Sequence, residues 1–64
     1  MRESEFWARL GRQVGESYAR VWSDQQVIRA LGGRTVREAL DAGVPVKTVW
    51  RGVCDHLELS STHW

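Results

Sequence analysis

The sequence predicts an all-α fold, a compact bundle of four or five short helices with a helix-turn-helix-like corner near the C-terminal half. Apolar residues recur three and four positions apart along most of the 64-residue chain, which is the spacing of a helix face. No segment alternates apolar and polar residues for long enough to predict a strand. Serine, threonine and glycine residues also lie where such helices would begin and end.

Two helices are predicted in the first third of the chain. Ser4 is the expected N-cap of the first, because a serine hydroxyl accepts a hydrogen bond from an early backbone N–H. The apolar stripe of this helix consists of Phe6, Trp7, Leu10 and Val14. Gly15 is its expected end. The same spacing marks a second, short helix at Tyr18, Val21 and Trp22.

A third helix is predicted from Ser23 onwards. The letters "SDQQ" place a glutamine three residues after a serine, which is typical of a capping box. The apolar face of this helix would consist of Val27, Ile28 and Leu31. The pair Gly32 and Gly33 would end it, because glycine adopts the left-handed cap conformation without steric cost.

Two further helices are predicted after the glycine pair. The letters "TVRE", from Thr35 to Glu38, predict a second capping box. The inward-facing residues of this helix are expected to be Val36, Ala39 and Leu40, and Gly43 is its expected end. Pro45 suits the first turn of the last helix, where its missing N–H costs nothing. The strongest apolar stripe follows, formed by Val46, Val49, Trp50, Val53, Cys54 and Leu57. Leu59 is expected to fold back onto the core.

Residues 1–59 are predicted to form one helical domain, and residues 60–64 a flexible C-terminal tail. A domain of this size buries only ~60% of the surface that its unfolded chain exposes, so its apolar residues must pack efficiently. The predicted core is rich in aromatic side chains and consists of Phe6, Trp7, Leu10, Trp22, Ile28, Leu31, Leu40, Val49, Trp50 and Val53.

Composition narrows the cellular context. The one cysteine of the chain excludes an internal disulfide and suits a reducing compartment. No apolar run reaches the length of a signal peptide or of a membrane span of ~20 residues. The sequence therefore predicts a cytoplasmic protein without a membrane partner. The net charge of +1 is too small to predict a polyanionic partner.

Enzyme chemistry is not predicted. Cys54 and His56 are two positions apart, whereas side chains that share a helix face are three or four apart. Together with His63 they match no standard zinc pattern, and a fourth ligand is missing. Cys54 lies on the apolar stripe, where a thiol is usually an inert small hydrophobe. We therefore expect no catalytic residues, no metal, no cofactor and no small-molecule substrate.

Four motifs point to a known family. They are "EFW" near the start, "Y-x-x-x-W" from Tyr18, "LGGRTV-x-x-AL-x-x-GV" from Leu31 and "VWRGVC" from Val49. Together they cover nearly the whole chain, which resembles the domain-of-unknown-function 3046 family of very short actinobacterial proteins. The resemblance implies a compact helical domain, an actinobacterial origin and a frequent gene neighbourhood near the recombinase of homologous recombination. It implies no activity and no catalytic residues.

The corner near the C-terminal half has the spacing of a helix-turn-helix. Ala39, Gly43 and Val49 stand where that motif has a small residue, a turn glycine and an apolar residue. Any tight pair of crossing helices has the same three requirements, so DNA binding is the alternative hypothesis. Its candidate DNA-binding residues are Arg34, Arg37, Lys47, Thr48 and Arg51. The four basic residues of this set lie near two carboxylates in the same stretch of sequence. Any DNA binding is therefore expected to be weak and largely independent of base sequence.

A protein-interaction module with a regulatory or accessory role is the first hypothesis. A small helical domain with surplus aromatic residues and little charge bias is suited to binding a larger protein partner, through exposed aromatic or arginine side chains. The candidate anchors are Arg9, Arg12, Tyr18, Arg20 and Trp64. An exposed apolar patch would favour this hypothesis, and one continuous basic face would favour DNA.

Overall fold

Four α-helices and a two-stranded hairpin make up residues 1–59, the part of the chain that the computed structural model describes. The helices are α1 (Glu3–Val14), α2 (Ala19–Gln25), α3 (Val36–Asp41) and α4 (Val46–His56). The hairpin lies between α2 and α3 and consists of β1 (Val27–Ile28), a 3₁₀ turn (Arg29–Leu31) and β2 (Arg34–Thr35). The protein is therefore mostly helical, as predicted. The predicted tail, residues 60–64, lies outside the described residues.

The predicted third helix is wrong, and so is the expectation of a fold without strands. Strands β1 and β2 are antiparallel, with Val27 opposite Thr35 and Ile28 opposite Arg34. Gly32 and Gly33 both have positive φ, at 75° and 78°, and reverse the chain immediately after the 3₁₀ turn. Two β-branched residues before this reversal suit a strand at least as well as a helix.

The structure also contradicts the capping box predicted at Ser23. Ser23 lies inside α2 and is buried, and its hydroxyl donates a hydrogen bond to the backbone oxygen of Arg20 at 2.8 Å. Serine in a helix interior often bonds back to the preceding turn in this way. Helix α2 then continues to Gln25, so the chain leaves the helix where the sequence predicted that one begins.

Of the other predicted helix starts, the capping box of α3 is confirmed and the N-cap of α1 is wrong. Ser4 is not an N-cap, because α1 begins at Glu3 with Arg2 in the cap position and no side-chain cap bond. The capping box of α3 is confirmed: the backbone N–H of Thr35 donates to Glu38 Oε1 at 2.9 Å, and that of Glu38 donates to Thr35 Oγ1 at 3.1 Å. Pro45 is the cap residue of α4, one position before its first turn.

An aromatic-rich core lies between α1, α2 and α4. The predicted core residues that the structure buries are Phe6, Leu10, Trp22, Ile28, Val49, Trp50 and Val53. The predicted core residues that are only partly buried and pack against them are Trp7, Leu31 and Leu40. The Phe6 ring meets Trp50 edge to face, with centroids 5.9 Å apart. Ala19 is a buried residue that the sequence did not predict.

Helices α3 and α4 meet at a tight corner. Ala39 and Val49 are both fully buried there, and Gly43 between them has a φ of 87°. The backbone N–H of Val44 donates to the oxygen of Ala39 at 3.0 Å, which closes the end of α3. A residue with a side chain would be strained at the backbone angle of Gly43, so the glycine sets the direction in which α4 leaves. In residues 1–59, no helix has both the length and the apolar character that crossing a bilayer requires.

Candidate functional site

An open groove of about 690 Å³ lies where the hairpin approaches the C-terminal end of α4. We call it the hairpin groove; it is lined by Val27, Arg29, Gly32, Gly33 and His56. The volume falls in the range of about 300–1,000 Å³ that is typical of ligand sites in proteins. The groove combines an apolar side chain, a guanidinium, an imidazole and a stretch of backbone without side chains.

Strand alternation places Val27 on the outside of the molecule. Successive side chains of a strand point to opposite faces, so the buried Ile28 directs its neighbour outwards. The Val27 side chain is 53% exposed, more than any other large apolar residue among the described ones. The same two residues would have shared one buried face in the predicted helix. The hairpin therefore creates an apolar surface that a helix would have hidden.

The glycine pair forms the open wall of the groove. Beyond the glycine and its chain neighbours, no heavy atom of residues 1–59 would lie within 4 Å of a Cβ atom added at Gly32 or Gly33, so the turn presents bare backbone. The N–H of Gly32 donates to the Arg29 oxygen at 3.0 Å, and the N–H of Gly33 donates to the Ile28 oxygen at 3.2 Å. Because both donors are occupied within the turn, this loop does not offer the N–H cradle of a phosphate-binding loop.

His56 forms the opposite wall. It is the last residue of α4, and its ring meets the buried ring of Trp22 edge to face, with centroids 6.0 Å apart. Gly52, one turn earlier on the same side of α4, allows the hairpin to come close. A Cβ at Gly52 would lie 2.8 Å from Leu31 Cδ2. The contact between Gly52 and Leu31 therefore sets the distance between the two walls.

The lining of the groove has cationic character. Arg29 is exposed and has no ion pair or side-chain hydrogen bond among residues 1–59. Among residues 1–59, no aspartate or glutamate lines the groove. Asp55 and Glu58 stand near His56 in the sequence, but they do not line the groove. An anionic group that entered here would find a guanidinium without a competing carboxylate in the lining.

The DNA-binding residues predicted on α4 share one side of that helix. Lys47, Thr48 and Arg51 are exposed, and Asp55 follows Arg51 one turn later; these four residues are called the α4 strip. The other two predicted residues lie on other elements. Arg34 is exposed on β2, and Arg37 of α3 binds Asp24 of α2 through its Nε at 3.2 Å.

Two of the arginines predicted as protein anchors make intramolecular contacts. The Arg20 guanidinium lies 4.6 Å from the centre of the Trp7 ring, a cation–π contact, and Arg9 is ion-paired with Glu5 at 3.7 Å. Arg12 and Tyr18 are exposed. Trp64 lies outside the described residues.

Cys54 is fully buried on α4. Burial raises the pKa of its thiol above the ordinary value, and the positive charge of Arg9 partly opposes this rise. The side chain has no surface exposed to solvent in the folded protein. Within residues 1–59, no three side chains of His, Cys, Asp or Glu are grouped as metal ligands would be. His63, which was considered with Cys54, lies outside the described residues.

The sequence did not predict the hairpin groove. Val27 and Arg29 were assigned to a helix, where Val27 would be buried, and Gly32 and Gly33 were expected only to end that helix. Arg29 was not a candidate binding residue, and His56 was considered only as a metal ligand and rejected. A signal was present nonetheless: a β-branched pair, a short spacer, two glycines and then Arg34 and Thr35 form a pattern that is compatible with a hairpin. The helical spacing of Val27, Ile28 and Leu31 concealed it.

The family resemblance inferred from the motifs is confirmed. A family model described as a protein of unknown function (DUF3046) matches residues 1–61 of the chain. No curated protein and no protein of solved structure matches the sequence significantly.

Proposed function

The chain belongs to the DUF3046 family, and from this starting point we propose that it is a protein-binding module that receives its partner in the hairpin groove. The observation that carries the proposal is the exposed Val27 side chain on the wall of a 690 Å³ groove. A concave surface that combines an exposed apolar side chain with an exposed arginine offers two kinds of contact by which protein interfaces hold a partner.

The shape of the groove favours a macromolecular partner over a small ligand. Sites for small molecules usually bury most of the ligand surface, and this groove is open to solvent along one side. A segment of a larger protein can fill such a groove and make further contacts around it.

The proposed role is that of an accessory or regulatory factor in the cytoplasm, without chemistry of its own. The buried position of the Cys54 thiol, away from the groove lining, supports this assignment. The side chains that line the groove supply charge and apolar contact, which are the requirements of binding. The proposal therefore needs no metal, no cofactor and no membrane.

Affinity capture with two matched variants tests the proposal. Tagged wild-type protein, Val27→Asp and Val21→Asp are used to capture partners from nuclease-treated extracts of the cells that make the protein. Both valines are exposed, at 53% and 44%, but only Val27 lines the groove. We expect a protein partner that wild type and Val21→Asp retain and Val27→Asp loses. Equal capture by all three folded proteins would contradict the proposal; circular dichroism and thermal melts establish that they are folded.

DNA binding by the α4 strip is the second candidate function, and a specific observation favours it. Lys47, Thr48 and Arg51 lie together on the exposed side of α4, after a corner with the spacing of a helix-turn-helix. Two features reduce the expected affinity: Asp55 lies in the same strip, and Asp24 is paired with Arg37. Few phosphates would be neutralised, so binding should be weak and insensitive to sequence.

Fluorescence anisotropy on random and genomic duplexes distinguishes the two functions. We expect affinity weaker than ~10⁻⁸ M at physiological salt, with a shallow dependence on salt concentration. The variant Lys47→Glu should lose whatever affinity there is, and Val27→Asp should retain it. Nanomolar, sequence-selective binding that Arg51→Ala abolishes would instead make DNA recognition the main function.

A further inference from the structure

From the lining of the hairpin groove we infer that the partner segment is an acidic peptide, with an apolar side chain that packs on Val27 and a neighbouring carboxylate that binds Arg29. This inference rests on the proposed function and specifies the chemistry of the partner. It is carried by three features of the groove: its unbalanced charge, its apolar wall and its bare glycine backbone.

The charge of the groove is complementary to a carboxylate. Arg29 contributes a guanidinium that no carboxylate among residues 1–59 neutralises, and the lining contains no acidic residue. A guanidinium can bind both oxygens of a carboxylate at once, which gives affinity and direction. A basic segment would instead be repelled by Arg29 and would find no acceptor carboxylate in the lining.

The two walls determine the orientation of the peptide. His56 ends α4, and the C-terminal end of a helix carries partial negative charge, which disfavours an anion on that side. The carboxylate is therefore expected at Arg29, on the hairpin side. The apolar side chain is expected against Val27, across from the His56 ring.

The glycine pair gives the backbone of the peptide room to approach. Apart from the glycine itself and its chain neighbours, no heavy atom of residues 1–59 lies within 4 Å of the space that a Cβ at Gly32 or Gly33 would occupy. Both glycine N–H groups are used inside the turn, so a peptide is not held there by donation from these groups. The recognition expected is thus by side chains, one carboxylate and one apolar group. The phosphate backbone of a nucleic acid would find only one strong cation in the lining, Arg29.

Three labelled peptides of equal length test this chemistry. The first is a ten-residue fluorescein-labelled peptide of alternating glutamate and leucine. In the second, serine replaces every leucine, and in the third, lysine replaces every glutamate. We expect the first to bind about tenfold or more tightly than either of the others, because it alone offers both groups. In ¹H–¹⁵N correlation spectra, the shifts caused by the first peptide should concentrate at Val27, Arg29, Gly32, Gly33 and His56.

Two variants assign the effect to the groove. Arg29→Gln should weaken binding of the glutamate–leucine peptide about tenfold, because it removes the charge and keeps a shorter, neutral polar side chain. Arg12→Gln removes an exposed arginine from α1, outside the groove, and should leave the affinity unchanged. Equal affinity for the serine peptide, or equal losses in the two arginine variants, would show general charge attraction and overturn the inference.

The peptide experiment tests the acidic chemistry of the groove, and the capture experiment tests the protein-binding function, so each proposal can fail without the other. If no peptide binds while Val27→Asp still loses a captured partner, the acidic chemistry is wrong and the protein-binding function stands. If the lysine peptide binds best, the charge assignment is overturned in the same way. If the first peptide binds in the groove but capture does not depend on Val27, the groove chemistry stands and the proposed function fails.

Discussion

Helix α4 and the first part of the hairpin, residues 27–31, were both predicted as α-helices, and only α4 is one. Along α4 the apolar pattern continues for three turns, and the buried residues include Val49, Trp50 and Val53. In the hairpin the same pattern has only three members, Val27, Ile28 and Leu31. The first of them, Val27, is exposed to solvent. A helical pattern is therefore reliable when it is long, and ambiguous when it covers a single turn.

The two regions also differ in what determines their structure. Helix α4 is specified locally, by its repeating apolar positions and the preceding corner. The hairpin depends on a distant residue, because Gly52 of α4 makes room for Leu31. It depends as well on two consecutive glycines with positive φ.

Trp50→Ala should be the most damaging change in α4. Trp50 is 1% exposed, and its ring packs against Phe6. Truncation of a buried aromatic residue costs ~3–5 kcal/mol, which is close to the whole stability that a domain of this size can have. Thermal and urea melts should show a protein that is largely unfolded at 25 °C. Trp7→Ala is the control: Trp7 is only partly buried, so its loss should be smaller. An unchanged melting temperature for Trp50→Ala would show that α4 does not anchor the core.

Features that depend on neighbouring residues in the chain could be predicted from the sequence. The capping box at Thr35, the corner at Gly43 and the stripe of α4 depend on neighbours in the chain, and all three features are present in the structure. The hairpin groove could not be found in this way. It requires knowing that Leu31 packs against Gly52 and that Trp22 supports His56, which are contacts between residues far apart in sequence.

Cys54 reports on the integrity of α4 from inside the core. Its thiol is fully buried, and burial raises its pKa, so at pH 8 a smaller fraction is thiolate than in an unfolded chain. We expect a soluble thiol reagent to label the folded protein about a hundredfold more slowly than the denatured protein, because labelling requires opening of the fold. Trp50→Ala should remove most of this protection. Rapid labelling of the folded wild-type protein would mean that α4 is open at this position.

Gly52→Ala should disturb the contact between the two regions. The new Cβ would lie 2.8 Å from Leu31 Cδ2 and 3.0 Å from Leu31 Cγ. Alanine favours the helix by about 1 kcal/mol, whereas overpacking costs about 1–3 kcal/mol. Because Leu31 is a flexible and only partly buried side chain, we expect a net loss of about 1 kcal/mol in urea melts.

Two controls isolate that contact. In the Leu31→Ala background the clash is absent, so Gly52→Ala should become neutral or stabilising. Gly11→Ala places a new Cβ in the interior of α1, 3.2 Å from Glu16 Cγ, on an exposed side chain that can move aside. It should be neutral or stabilising by up to about 1 kcal/mol. If Gly52→Ala behaved like Gly11→Ala in the wild-type background, the hairpin would not depend on close approach to α4.

Thr35→Ala tests the junction where the hairpin passes into α3. Thr35 belongs to β2 and is also the N-cap of α3, and its hydroxyl accepts a hydrogen bond from the Glu38 N–H. Loss of such a cap costs about 1 kcal/mol, and Thr35→Ser should restore most of it. Ser4→Ala removes a hydroxyl from the first turn of α1 that makes no cap bond. Its effect should stay within about 0.5 kcal/mol. Equal losses at the two positions would contradict the assignment of the caps.

The smallest effect is expected at Val27, where the two interpretations of the hairpin segment differ most. Val27→Thr keeps the shape and the β-branching of the side chain and places a hydroxyl where the structure is exposed. We expect the free energy of unfolding to change by less than about 0.5 kcal/mol. Ile28→Thr makes the same residue at the next, fully buried position. There the hydroxyl enters the core, and the loss should be about 2 kcal/mol or more. In a helix, both positions would lie on the buried face and both variants would be damaging. Similar losses of stability at the two positions would therefore contradict the hairpin, and with it the exposed apolar wall of the groove.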